Sequence, residues 1–292
     1  MSKLSSSLKA LINSPAARPG TVPAPRNIQA VYRRIQQDAI SNNVSQSSWL
    51  ALSTAATMTM NSPDSLAALY QLASSSSSPE DSIAAAELMR EVGLKCISFN
   101  GIPRSINCLN AFKASLPDPV AQRLSSRAPS RAPTPANITD IAARGRALWD
   151  SIYRPHENKL YDKLADAHPD LPVHILNANY GALLADPDPE PSARATGPGT
   201  EASVGRLKTS IVAVACLRAQ SGVAPQVTSH VFGLRKAVED GSWAGDGESE
   251  AAARWLAGED GNAWILGCVD EIVAEIGGGL GSTFAPGRES KL

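Results

Sequence analysis

Apolar positions recur along this chain at helical spacing almost throughout. Residues 28–40 read as a helix, and 49–60 is apolar and helix-compatible. Asn61-Ser62-Pro63-Asp64 stops one helix and starts the next, with Pro in an early position. Leu66, Leu69, Tyr70 and Leu72 then repeat within 65–73. The run 74–78 is a serine loop. Ser78-Pro79-Glu80-Asp81 opens a helix over 79–99, its capping serine and two acids suiting the positive end of a helix dipole. Asn100-Gly101-Ile102-Pro103 breaks it, and another helix follows through Ala114.

The Pro-, Ser- and Arg-rich stretch 117–135 is the best boundary in the chain. Beyond it, 138–153 is amphipathic, with Ile141, Leu148, Trp149 and Ile152 on one side. Helices follow over 155–167, 172–184, 206–220, 225–238, 251–257 and 262–276. The segments 186–203 and 240–250 have no periodicity and read as insertions, the first mobile. Strand alternation is absent, so the expected class is all-α, a helical bundle in two halves. The expected organisation is a disordered 1–26, a helical module over 27–116, a linker over 117–137, a second module over 138–276, and a tail over 277–292.

Composition sharpens this. Hydrophobic residues make up 43% of the 292 residues and aromatics only 5%, which suits close-packed helices better than a sandwich of sheets. Net charge is −1 without a basic cluster, which argues against nucleic acid and anionic membrane as partners. No run of residues is apolar enough to span a bilayer. The four cysteines, Cys96, Cys108, Cys216 and Cys268, include no C-x-x-C pair and sit in apolar, helix-like settings. The four histidines lack metal-ligand spacing. There is neither a dinucleotide-binding glycine motif nor a phosphate-binding loop. No cofactor is expected.

The chain closes on Ser290-Lys291-Leu292, a tripeptide with the form of a peroxisomal address. The glycines of 277–281 and Pro286-Gly287 before it cannot hold a helix, so the tail is expected to hang free for an import receptor. Peroxisomal matrix is the expected location.

From Glu91 onward the sequence resembles the carboxymuconolactone decarboxylase-like family. The first half carries it in Glu91-Val92-Gly93-Leu94-Lys95 and Phe99-Asn100-Gly101-Ile102-Pro103-Arg104, with Asn107 beyond. The second half resembles the same family in Gly145-Arg146-Ala147-Leu148-Trp149-Asp150-Ser151-Ile152-Tyr153-Arg154-Pro155-His156. It does so again in Pro169-Asp170-Leu171, in Asn179-Tyr180-Gly181, and in Gln226-Val227-Thr228-Ser229-His230. The resemblance implies two copies of one helical module, and oligomers built through helical faces, a dimer first. It also implies cofactor-independent chemistry beside a carbonyl, such as decarboxylation or isomerisation of a small organic acid or thioester. The same superfamily holds alkylhydroperoxidases that use a thiol pair. Here Val223 and Gln226 stand near those cysteine positions in the second half, and Pro103 and Ile106 take them in the first. That makes a peroxidase of that type the weaker reading. A third is a binding or scaffold protein that keeps the fold alone.

Glu91 and Lys95 share a helix face and read either as a surface ion pair or as an acid/base and an anion-stabilising group in a pocket. Arg104 reads as a cap or as a fork for a carboxylate. Asn107 and Asn110 read as helix-end hydrogen-bonders or as partners for carbonyls. His230 reads as a packed histidine or as the reactive one, with Gln226 one turn earlier facing the same way. Tyr153 and Tyr180 read as packing residues with one polar tip.

Overall fold

In a computed structural model of the protein, residues 3–124, 129–187, 203–282 and 284 are described. The order of helices is α1 (Ser6–Ile12), α2 (Ile28–Ser41), α3 (Gln46–Thr59), α4 (Pro63–Ser74), α5 (Pro79–Lys95), α6 (Ile97–Asn100), α7 (Ile102–Ser115) and α8 (Asp118–Ala121). After the linker come α9 (Ile138–Tyr153), α10 (Glu157–Ala167) and α11 (Asp170–His174), which runs into a π-helix over Ile175–Leu184. Then follow α12 (Gly205–Gln220), α13 (Ala224–Glu239), α14 (Glu250–Ala257) and α15 (Glu259–Gly277). The protein is all-α, with no strand among the described residues.

Two helices form the centre. In α3 every residue from Ser48 to Thr59 is buried, and α12 is buried from Arg206 to Leu217. They pack on each other, which explains why most positions of both are apolar or small, although α12 also buries Arg206 and Lys208. On this pair lie α5 and α4 against α3, α13 against α12, and α15 against both. One hydrophobic core therefore takes Trp49, Leu52 and Leu69 from before the linker and Ile211, Leu234 and Ile272 from after it. A smaller cluster of Trp149, Ile152, Leu176, Tyr180 and Leu184 joins α9 to the π-helix.

That second contact depends on glycine. A Cβ on Gly145 would lie 2.5 Å from the Leu176 carbonyl oxygen, and one on Gly181 would lie 2.6 Å from that of Ile141. Both obstacles are backbone, so α9 and the π-helix meet at a distance no larger residue permits.

Several expectations need correction. The helix over 79–99 is interrupted at Cys96, just beyond Gly93, whose carbonyl accepts from the Ser105 hydroxyl at 3.1 Å. The helix over 172–184 is wound as a π-helix from Ile175. The N-terminal stretch, read as disordered, holds α1, capped by the Ser5 hydroxyl and burying none of its residues. The tail does not hang free where it is described. Ser282 is 1% exposed and donates to the Gln220 carbonyl, and the Phe284 ring lies over the Arg104 guanidinium at 3.6 Å. Ser290, Lys291 and Leu292 lie outside the described residues.

Candidate functional site

His230 sits where three helices meet. On α13 the buried residues are His230, Gly233, Leu234 and Ala237, a stripe with the three- and four-residue spacing of one face. The absence of a side chain on Gly233 lets α13 approach Ile152 of α9 and Ser210 of α12. Phe99 from α6 and Tyr153 from α9 each meet the imidazole edge-on, with ring centroids 6.1 Å away. Behind them the Tyr153 and Tyr180 hydroxyls share a hydrogen bond of 2.9 Å, and Trp149 packs on both phenol rings. The π-helix that carries Tyr180 is fixed to α6 by the Ser98 hydroxyl, which donates to Asn179 Oδ1 at 3.0 Å. Helices of this wider kind are concentrated at functional sites.

The electrostatics of this assembly are uneven. His230 Nδ1 is buried and has no hydrogen-bond partner among the described residues. Burial, helped by the positive charge of Arg206, brings the imidazole from its ordinary value of 6.5 down to about 4. It is neutral at physiological pH. Burial also raises both tyrosines above the usual phenol range, so their hydroxyls stay protonated. Arg206 is the cation beneath. Its Nε donates to Ser151 Oγ, Nη1 to Ser210 Oγ, and Nη2 to the Ser151 and Gly233 carbonyls. None of these acceptors is a carboxylate. Burial lowers its pKa, partly offset by the charge of Asp240.

Glu91 and Lys95 belong to a second polar group. Lys95 is 1% exposed, and its Nζ donates to the Leu184 carbonyl at 2.7 Å and to Asp186 Oδ1 at 2.5 Å. Glu91 lies 3.9 Å from Lys95 Nζ and is engaged by the Arg131 guanidinium from the linker. Asp186 also accepts from the Ser203 hydroxyl and the Gly205 N–H. Burial would raise the Asp186 pKa, but the charge and hydrogen bond of Lys95 and these further donors outweigh it and hold it below the usual carboxylate range. The expected mobile insertion is thus anchored at both of its ends, Asp186 and Ser203.

The expected site residues therefore separate. Glu91 and Lys95 are together, but neither shares a hydrogen-bond or ring partner with His230. Arg104 donates to the Thr59 carbonyl under Phe284, at a third place. Burial lowers its pKa. Asn107 donates to Asn61 Oδ1 at 3.3 Å on an exposed surface, and Asn110 is exposed. Gln226 is exposed as well. It is in the first turn of α13, before the helix enters the core, so its shared direction with His230 does not bring it to the imidazole. Sequence reasoning missed Arg131 and Asp186, which sit in segments without periodicity, and Arg206, hidden in an apolar helix. Tyr153 and Tyr180 were visible only as packing residues.

Among the described residues no cluster of His, Cys, Asp and Glu could hold a metal ion, and no helix is long and apolar enough to cross a membrane. No family model matches the chain, and comparison with curated proteins and with solved structures yields no match either.

Proposed function

We propose that this is a two-module protein of the carboxymuconolactone decarboxylase type, performing cofactor-independent proton transfer beside a carbonyl of a small organic acid or thioester. The two-module reading draws support from parallels between the halves. Both α3 and α12 are buried over most of their length, and each is followed by a residue with positive φ, Asn61 at 54° and Ser221 at 65°. Each then gives way to a helix with Pro in its first turn, Pro63 in α4 and Pro225 in α13.

The chemistry rests on one observation: a buried, neutral imidazole whose Nδ1 has no partner among the described residues, beside a pair of protonated phenols. An unprotonated imidazole is the state required of a base, and a hydroxyl pair can donate to the oxygen of an enolate. A substrate carboxylate near His230 would raise its basicity toward the working range, opposing the field of Arg206. In this reading Lys95 braces Asp186, Glu91 is held by Arg131, and neither handles the proton.

The test is uptake of solvent deuterium at the carbon next to the carbonyl, followed by NMR over a panel of small keto acids, lactones and thioesters. The native protein should exchange at least one of them. His230→Gln should slow it by roughly a hundredfold or more, and Glu91→Gln should slow it much less. The reverse pattern would move the chemistry to Glu91. No exchange from a folded protein would favour the binding or scaffold reading, which the internal engagement of Glu91 and Lys95 already supports. The proposal extends to a homodimer, checked by light scattering, and to the peroxisomal matrix.

A further inference from the structure

Cys96 and Cys216 are 120 residues apart in sequence, yet their sulfurs are 3.6 Å apart in the structure. Both are buried, free thiols. Cys96 lies at the interruption between α5 and α6, and Cys216 lies in the middle of α12. The other two cysteines have no such neighbour among the described residues, and Cys108 has only Asn61 Oδ1 at 4.0 Å.

The surroundings of the pair are ordered by Asn100. Its Oδ1 accepts from the Thr59 hydroxyl at 3.1 Å and from Gln220 Nε2 at 3.2 Å. That fixes the amide so that Nδ2 donates to Cys216 Sγ, at 3.8 Å. The Cys216 thiol can donate in turn to the Ala55 carbonyl, also at 3.8 Å. Cys216 thus has a donor to support negative charge on its sulfur, whereas Cys96 sits at the negative end of α5. A disulfide needs its sulfurs about 2.05 Å apart, so closing the gap takes roughly 1.5 Å of movement. The interruption at Cys96 is the place where the backbone can supply it.

We infer that Cys96 and Cys216 are a latent redox pair, which a small hydroperoxide converts to a reversible disulfide between α12 and the α5–α6 junction. This is separate from the proton-transfer chemistry, which needs no thiol. Cys216 Sγ, as thiolate, attacks one peroxide oxygen. The O–O bond breaks, the other oxygen leaves as an alcohol or water after taking a proton, and a sulfenic acid remains on Cys216. Cys96 Sγ then attacks that sulfur, and its own proton leaves with the displaced hydroxyl as water. Two thiols and one peroxide thus give one disulfide, one alcohol (or water) and one water. The pair is shielded from solvent, so entry of the peroxide requires local opening, and the reaction is slow compared with that of an exposed thiol.

The experiment treats the full chain with hydrogen peroxide, denatures it in iodoacetamide, and maps its peptides by mass spectrometry. The expected product is a Cys96–Cys216 linked peptide, two hydrogens lighter than the separate thiols, that disappears on treatment with dithiothreitol. Cys108 and Cys268 should be alkylated. Oxidised protein should melt several degrees higher, and reduction should reverse this. In Cys96→Ala the sulfenic acid on Cys216 should persist long enough to be trapped by dimedone. If that variant does not fold, the peptide map of the native chain decides alone. The inference is overturned if both sulfurs remain alkylatable, or if Cys216 passes to sulfinic acid without a link, while circular dichroism shows the protein folded.

Discussion

Gly145→Ala tests whether α9 and the π-helix meet as closely as described. The new Cβ would lie 2.5 Å from Leu176 O, 2.7 Å from Gly181 N and 2.8 Å from Gly181 Cα. All three are backbone atoms, so no rotamer change relieves the overlap. Restoring ordinary contact requires the helices to part by roughly 0.7–1 Å. Overpacking of this kind costs about 1–3 kcal/mol, and the better helix propensity of alanine returns about 1 kcal/mol. The net loss should be about 0–2 kcal/mol. Gly267→Ala is the matched control, because Gly267 is exposed in α15 and a Cβ there meets nothing within 4 Å. It should gain about 0.5–1 kcal/mol. Urea unfolding at a constant m value measures both. Near-ultraviolet circular dichroism should change only in Gly145→Ala, through Trp149, Tyr153 and Tyr180. Equal gains in the two variants would refute the close approach.

Acid should weaken the fold through His230. Its pKa is about 4 in the native state against an ordinary 6.5, so the stability from keeping it neutral is whole above 6.5 and is lost as pH falls to 4. The loss is about 3 kcal/mol, and His230→Gln should flatten that part of the urea midpoint against pH. Asp186→Asn leaves Lys95 buried without its short ion pair and should cost about 3–5 kcal/mol. Lys95→Met, which removes the charge, should cost less, and the reverse order would argue that Lys95 is not held as a cation. A fluorescent protein ending in residues 277–292 should collect in peroxisomes and lose that location without Leu292, while cytosolic signal from the intact tail would rule the address out.

Helices were legible wherever apolar spacing persisted. The reading of 138–153 coincides with α9, and the burial of α3 and α12 follows from their largely apolar and small residues, the buried Arg206 and Lys208 of α12 excepted. Periodicity did not reveal the winding of Ile175–Leu184, because a π-helix is decided by what packs on it and not by local propensity. The break at Cys96 was also hidden, since Ser105, twelve residues after Gly93, is what engages its carbonyl. Charged partners were the least legible. Lys95 was visible, but Asp186 lies 91 residues away in a segment without pattern. The cysteine pair was missed for the same reason, as spacing in sequence says nothing about sulfurs brought together by packing α12 against the α5–α6 junction.

The central position of α3 and α12 has a consequence for how the chain reaches its fold. Cys216 meets the carbonyl of Ala55, 161 residues earlier, so the middle of the protein is closed by partners far apart in sequence. A helical protein ordinarily folds fast because its contacts are local. Here the first half leaves the ribosome with the α3 face for α12 still bare, and that face stays uncovered until the second half is made. Residues 27–116 alone should therefore be sticky and incompletely ordered, and refolding of the whole chain should be slower than its helix content suggests.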